Sequence, residues 1–111
     1  MRRVELLPKA KQDLVDAAEW YEAERKGLGQ DFLRGMALVS DGLRRLPERH
    51  PVLSGSTRRA KMRRFPYMVL YVVQQDVILI VAVLHEHRHP GRWAERVQEG
   101  GVSHRFAGAA S

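Results

Sequence analysis

Two stretches in the first half of the chain repeat apolar residues at helical spacing. The first runs from Pro8 to about residue 26, and the second begins at Gln30 or Asp31. The apolar positions are Ala10, Leu14, Ala17, Ala18 and Tyr21 in the first stretch and Phe32, Met36, Val39, Leu43 and Leu46 in the second. Because Gly27 and Gly29 separate the stretches, we predict two amphipathic helices in an antiparallel hairpin. Another layer of structure must cover the apolar face of each helix.

The first residues and the second half of the chain have the pattern of β-strands. Residues 2–7 alternate loosely, and residues 57–64 place Ala60 and Met62 opposite a row of basic side chains. Residues 67–74 and 77–85 are nearly continuous apolar, β-branched runs, which is typical of interior strands. The remaining segments are a loop at 50–57, a bend at Phe65-Pro66, a turn at Gln75-Asp76 and a helical turn at about 90–97.

This order of elements predicts an α+β fold. The order is β-α-α-β-β-β, and the last three strands form an antiparallel meander. We therefore expect a two-helix hairpin packed on one face of a small, mostly antiparallel four-stranded sheet. Residues 1–97 form a single domain in this interpretation, and residues 98–111, which are small and weakly patterned, form a flexible C-terminal tail.

Composition narrows the class of protein. The chain has 111 residues, no cysteine, no apolar segment typical of a signal peptide, and no apolar run longer than residues 77–84. We therefore predict a cytoplasmic protein without disulfides and without a membrane partner. The net charge of +6 comes mainly from arginine, so an acidic partner is one interpretation and solubility alone is the other.

Five basic residues crowd one of the predicted strands, namely Arg58, Arg59, Lys61, Arg63 and Arg64. A charged edge strand that deters aggregation would explain some of them, but the density favours a surface that binds a target or nucleic acid. In a meander the first and third strands run in the same direction. The end of this row and the cluster after residue 84 are therefore expected to share one rim of the sheet.

The segment HEHRHPGRW, residues 85–93, combines three histidines with basic and aromatic side chains. His85, His87 and His89 alternate as a zinc trio could, but Arg88 and Pro90 interrupt them, so we predict no metal and no cofactor. A second interpretation is RNA cleavage, with His87 or His85 as base or acid and with Arg59, Lys61 and Arg88 holding phosphate. Alternatively, His85 only ends the strand, and Trp93 either covers the core, which we favour, or stacks on a base.

The chain resembles the RelE/ParE superfamily of bacterial toxins, and the likeness covers nearly all of residues 2–97. The matching segments are DLVDAAEWYE at 13–22, LGQDFL at 28–33, RRFPYMVLYVV at 63–73 and VAVLHEHRHPGRWAER at 81–96. The ending with His85, Arg88, Pro90 and Trp93 is similar to that of the ParE-like, plasmid-stabilisation branch.

The resemblance implies a toxin held inactive by a cognate antitoxin in a hetero-oligomer. ParE-like members bind and inhibit DNA gyrase, whereas RelE-like members cut mRNA on the ribosome with basic residues and a C-terminal aromatic, usually Tyr. Arg59, Lys61, His87 and Arg88 match that catalytic set, but Met68 stands where a strand Arg would be, and Trp93 replaces the Tyr. A Trp N–H is no general acid. The likeness therefore favours the gyrase-directed function, with His85, Arg88, Trp93 and the basic row as target-binding residues.

Overall fold

A computed structural model describes residues 2–88 and 92–97. Its elements are β1 (Arg3–Leu6), α1 (Pro8–Glu24), α2 (Leu28–Arg45), β2 (Val52–Ser54), β3 (Thr57–Lys61), β4 (Tyr67–Val73) and β5 (Val77–His85), and residues 92–97 are helical. The predicted α+β fold and its element order are confirmed, with one additional short strand. The predicted C-terminal tail, 98–111, lies outside the described residues, as do His89 and Pro90.

The strands form one sheet in the order β1-β5-β4-β3-β2. β1 pairs with β5 in parallel, and all other neighbours are antiparallel. β1 covers β5 only along its first half, because the last paired residues are Leu6 and Ile80. The second half of β5 therefore has no neighbouring strand on that edge within residues 2–88 and 92–97.

The fifth strand, β2, lies where the sequence predicts only a loop. Val52–Ser54 pairs with the start of β3 through a two-residue connection, Gly55-Ser56. Gly55 has φ of +55°, a conformation that such tight hairpin turns require and that glycine adopts without strain. A three-residue strand leaves too short a pattern to stand out in the sequence.

The two helices form the predicted hairpin and cover one face of the sheet. Tyr21 and Phe32 stack at 5.4 Å between ring centroids, and both contact Phe65 and Tyr67 edge to face. Gly29 does not end the first helix as predicted but lies inside α2, where a Cβ would be 2.6 Å from the carbonyl oxygen of Ala18. The absence of a side chain at this position thus lets the helices approach each other.

The other face of the sheet carries a second apolar cluster. A bulge contributes to it: Leu70 pairs with Ala82 but Tyr71 pairs with Ile80, so Val81 is an extra residue in β5. The members of this cluster are Met68, Leu70, Val72, Val81, Ala82 and Leu84. Trp93 and Val97 of the helical segment 92–97 pack against it. Segment 92–97 therefore covers part of this face.

No helix within residues 2–88 and 92–97 is long and apolar enough to cross a membrane.

Candidate target-binding surface

The basic row on β3 is divided between the two faces of the sheet. Arg59 pairs with Leu70 and Lys61 with Met68, and both partners belong to the second cluster. Because paired residues of antiparallel strands point to the same face, Arg59 and Lys61 lie on the face opposite the α1–α2 hairpin. These two side chains keep the outward position that the alternation predicts.

Arg58 has a structural role that the sequence interpretation missed. It pairs with Tyr71 on the helix side, and its Nη1 donates to the carbonyl oxygens of Glu48 at 3.1 Å and His50 at 2.7 Å. The Tyr71 hydroxyl donates to the Pro47 carbonyl at 2.6 Å. Together these bonds hold the loop after α2, so Arg58 is not available as a surface cation.

Arg63 and Arg64 lie beyond the end of β3, because the strand ends at Lys61 rather than at residue 64 as predicted. The chain bends there so that the Met62 N–H can bond to the Tyr67 carbonyl at 2.9 Å. Arg64 reaches α2, where its Nη1 is 3.2 Å from a carboxylate oxygen of Asp31. Both arginines thus face the hairpin and not the surface of Arg59 and Lys61.

A groove of about 560 Å³ lies between α2 and β3, and we call it the α2–β3 groove. Its apolar lining includes Leu38, Val39, Met62 and Phe65. Basic residues that line it are Arg34, Arg45, Arg49, Lys61, Arg63 and Arg64, and they outnumber the two carboxylates in the lining, Asp31 and Asp41. Leu38 is 73% exposed, so a large apolar side chain stands open to solvent inside a basic rim.

Glu86, which the sequence interpretation passed over, lies between two of the predicted site residues. Lys61 Nζ is 3.8 Å from one of its carboxylate oxygens, and His87 Nε2 is 3.8 Å from the other. The His87 side chain is 80% exposed. Lys61, Glu86 and His87 therefore form one polar group at the end of the sheet, in which a carboxylate offsets part of the positive charge.

His85 stabilises the turn at the end of β5. Its Nδ1 accepts hydrogen bonds from the backbone N–H groups of His87 at 3.1 Å and Arg88 at 3.3 Å, and its ring contacts Tyr67. Burial, with the charges of Arg88 and His87, lowers the pKa of His85 below 6.5, although Glu86 opposes this. A neutral imidazole that accepts two backbone bonds is a structural residue, which is the simpler of the two sequence interpretations.

Arg88 lies beside α1, in a cleft that Met68 and Leu84 of the second cluster also line. Its guanidinium carbon is 4.8 Å from the ring centroid of Trp20, a residue of α1 that is 43% exposed. Lys61 and Arg88 are both near Glu86, which contacts Lys61 and lines the same cleft as Arg88. Within residues 2–88 and 92–97, however, no contact joins Arg88 to Arg59 or Lys61, so the predicted shared rim is only partly formed.

A salt bridge closes the open edge of β5. The Arg96 guanidinium contacts Asp13 with two nitrogens, at 2.8 and 2.9 Å, and also donates to the Val81 carbonyl at 3.2 Å. The Asp13 carboxylate accepts the Val83 N–H at 3.0 Å. The pair thus supplies a donor and an acceptor where a neighbouring strand would otherwise do so. It borders a cleft of about 290 Å³ that Trp20, Arg88, Arg92 and Trp93 also line.

Trp93 has the covering role that the sequence analysis favours. It packs on the second cluster from segment 92–97 and is only partly exposed. Within residues 2–88 and 92–97 no group of three or more His, Asp or Glu side chains is arranged to hold a metal ion. The rings of His85 and His87 lie 6.0 Å apart, and His89 lies outside the described residues.

Comparison with known proteins identifies the family. The family model described as "ParE toxin of type II toxin-antitoxin system, parDE" matches residues 4–90. The structure is similar to one described as "Chromosomal ParDE TA system from P. aeruginosa", with a TM-score of 0.58 and 16% identity over 77% of this chain and 96% of that chain. At this identity the similarity shows the fold alone. Comparison with curated protein sequences gave no match.

Proposed function

The chain belongs to the ParE toxin family of type II toxin–antitoxin systems, and we propose that it inhibits DNA gyrase by binding and is neutralised by a cognate antitoxin. The observation that carries the proposal is the family match over residues 4–90, which includes the sheet and both helices. Gyrase as the target rests on the ParE-like resemblance of the sequence. No covalent step by this chain is required.

The positions of the basic side chains support binding rather than RNA cleavage. General acid–base cleavage of RNA needs base, acid and phosphate-holding cations within reach of one phosphodiester. Arg88 lies against Trp20 of α1, whereas Arg59 and Lys61 extend from β3, and within residues 2–88 and 92–97 no contact joins Arg88 to either of them. Met68 and Trp93, which stand at the expected Arg and Tyr positions, pack in and against the second cluster.

The proposed gyrase contact is the face that carries Arg59, Lys61 and the exposed His87. Lys61 and His87 lie beside Glu86 at the end of the sheet, and Arg59 lies on the same face of β3 as Lys61. Three other predicted site residues support this surface indirectly. The loop after α2 is held by Arg58, the turn after β5 by His85, and the second cluster is covered by Trp93.

Induction of the toxin in cells without its antitoxin tests the choice of target. We expect cleaved chromosomal DNA to accumulate and translated transcripts to remain intact, and co-expression of the antitoxin should restore growth. Fresh cuts within translated codons, mapped by primer extension and without DNA cleavage, would instead establish the ribosome-dependent nuclease. Growth that does not change on induction would contradict both functions.

The α2–β3 groove is the proposed docking site of the antitoxin. A partner that is both acidic and amphipathic complements an apolar floor surrounded by basic residues. β2 pairs with β3 at Thr57 and Arg58, so the rest of the β3 edge, at residues 60–61, borders the groove with no strand beside it in the part of the chain that the structure describes. An antitoxin segment that folds on contact can therefore place apolar side chains beside Leu38 and carboxylates beside the rim.

The substitution Leu38→Glu tests this docking site. It places a carboxylate in the apolar floor without disturbing the fold, because Leu38 is 73% exposed. We expect the dissociation constant for the antitoxin to rise at least about tenfold in calorimetry. The matched control is Val15→Glu on α1, which is 47% exposed and does not line the groove. Equal effects of the two substitutions, or none, would place the antitoxin elsewhere.

A further inference from the structure

Four arginines meet at the end of the molecule opposite His85. An open cleft of about 610 Å³ is lined by Arg2 and Arg3 at β1, by Arg44 and Arg45 at the end of α2, and by the β4–β5 turn. The nine residues of β5 separate this end from His85, which corresponds to about 26 Å of strand. We call these four residues and their surroundings the arginine cleft. It is distinct from both surfaces described above, except that Arg45 also lines the α2–β3 groove.

Like charges are concentrated in the arginine cleft. Among the described residues, Asp76 is the only acidic one that lines it, against four guanidinium groups. Two of the arginines have partners at its margin: Arg3 contacts Glu5 at 3.3 Å and Arg45 contacts Asp41 at 3.0 Å. All four of these side chains are about half exposed or more, so water screens the pairs and an anion can compete for the arginines.

Helix stability explains the presence of only two of the four arginines in the cleft. Arg44 and Arg45 lie in the last turn of α2, where positive charge is favourable beside the free carbonyl groups. Arg2 and Arg3 come from a different element and have no such reason to be there. Arg2 is held in place because its Nε donates to the Gln74 carbonyl at 2.8 Å, which leaves its two terminal nitrogens to face a ligand.

The lining of the arginine cleft selects among acidic partners. Protein interfaces have an apolar centre, and membrane-binding surfaces insert apolar or aromatic side chains. Among the described residues that line the cleft, Pro47 is the only apolar one. Guanidinium forks match the geometry of phosphate groups. Single-stranded nucleic acids usually stack on aromatic rings, and none of the described residues that line the cleft is aromatic.

We propose that the arginine cleft binds the phosphate backbone of duplex DNA without reading its sequence. Backbone contact needs only properly spaced cations, which β1 and the end of α2 supply from two sides. This binding does not depend on whether gyrase is the target, and it can fail or succeed independently of the toxin's effect on gyrase.

The double substitution Arg3→Gln/Arg44→Gln tests this proposal, with anisotropy of a labelled short DNA duplex as the measurement. Both side chains are exposed, and neither holds the fold. We expect affinity for the duplex to fall about tenfold at low salt, and the slope of log affinity against log salt to become shallower by about 1.8, since each lost contact contributes about 0.9. The matched control is Arg25→Gln/Lys26→Gln, which removes the same charge from exposed positions at the end of α1.

Several results would overturn the proposal. One is a wild-type protein that does not bind the duplex at low salt, and another is an equal loss of affinity in both double variants. Tighter binding of single-stranded RNA, of polyglutamate or of phosphatidylserine vesicles, lost in Arg3→Gln/Arg44→Gln, would assign the arginine cleft to that ligand instead. Circular dichroism of each variant checks that the fold is retained.

Discussion

Asp13 and Arg96 show how one pair of side chains can replace a missing strand. Together they satisfy the Val83 N–H and the Val81 carbonyl on the open edge of β5, and Arg96 is only 5% exposed. Burying both charges is unfavourable by itself, so the pair depends on its two direct contacts and on these backbone bonds. Removing one partner should therefore be more harmful than an ordinary surface substitution.

We predict that Asp13→Ala lowers the free energy of unfolding by about 3–5 kcal/mol, because it removes the carboxylate that neutralises a buried guanidinium. Asp13→Asn should be milder, since its amide oxygen can still accept the Val83 N–H. Urea denaturation measures both variants. The control is Asp16→Ala, one turn away and exposed, which should change stability by less than about 0.5 kcal/mol. A loss in Asp13→Ala no larger than in Asp16→Ala would show that the pair does not stabilise the edge.

His85 should make stability depend on pH in the acidic range. Because its pKa is lowered in the folded protein, the unfolded chain takes up the proton first as pH falls through about 6.5, and stability should decrease from there downward. The variant His85→Asn keeps an acceptor oxygen near the position of Nδ1 but does not titrate. We expect the wild type to lose more stability than His85→Asn between about pH 7.5 and 5.5. Parallel losses in the two proteins would mean that His85 does not carry the effect.

Sequence patterns identify some of these residues but not their partners. The stripe of α1 contains Ala10, Leu14 and Ala17, and Asp13 lies on the same side of the helix, which is a signal that its carboxylate is not fully solvated. Its partner Arg96 is 83 positions away. No local pattern can predict that contact, because it depends on how segment 92–97 returns across the sheet.

At the level of elements, the hairpin depends on one close approach. Glu22 accepts the N–H groups of Gly27 and Gly29 with its carboxylate, which joins the end of α1 to the start of α2. Gly27 has φ of +88° and so reverses the chain without strain. The Gly29 backbone then passes close to the carbonyl of Ala18. The segment from Gly27 to Gly29 thus determines both how α1 connects to α2 and how closely the two helices pack.

Two glycine substitutions in α2 should have opposite effects. Gly29→Ala places a Cβ 2.6 Å from the Ala18 carbonyl oxygen, so the helices must separate, and we predict a loss of about 1–3 kcal/mol in the free energy of unfolding. Gly42→Ala is the matched control, because nothing lies within 4 Å of its Cβ. It should gain about 0.5–1 kcal/mol from the better helix propensity of alanine. Equal effects in thermal or chemical denaturation would mean that the hairpin does not need the close approach.

The elements with strong hydrophobic patterns are those that the sequence predicts well. Both helices and the buried strands β4 and β5 follow from spacing and from β-branched composition. β2 and the bulge at Val81 do not, because a three-residue strand has almost no pattern and a bulge only shows once the register is known. The predicted strand 57–64 is too long for a related reason. The alternation of apolar and basic residues continues past Lys61, although the chain turns toward α2 there.

For the whole molecule, the distribution of charge is more complex than one basic face. Arg59 and Lys61 lie on the face opposite the hairpin, Arg63 and Arg64 line the α2–β3 groove, and the arginine cleft occupies the far end. The net charge of the sequence cannot predict how the basic residues are distributed among these surfaces, because that distribution depends on strand register and on the bends between strands. Surfaces for target, antitoxin and DNA are thus compatible on one small domain, with Lys61 and Arg45 each bordering two of them.

The most direct test of the account is the supercoiling activity of purified gyrase with increasing amounts of this protein. We predict that supercoiling stops and that cleaved DNA accumulates, that pre-mixing with the antitoxin prevents both effects, and that Arg59→Ala/Lys61→Ala raises the concentration for half-inhibition about tenfold. The matched double variant Arg25→Ala/Lys26→Ala should inhibit like the wild type. Undiminished supercoiling at an excess of correctly folded protein would contradict the proposed function.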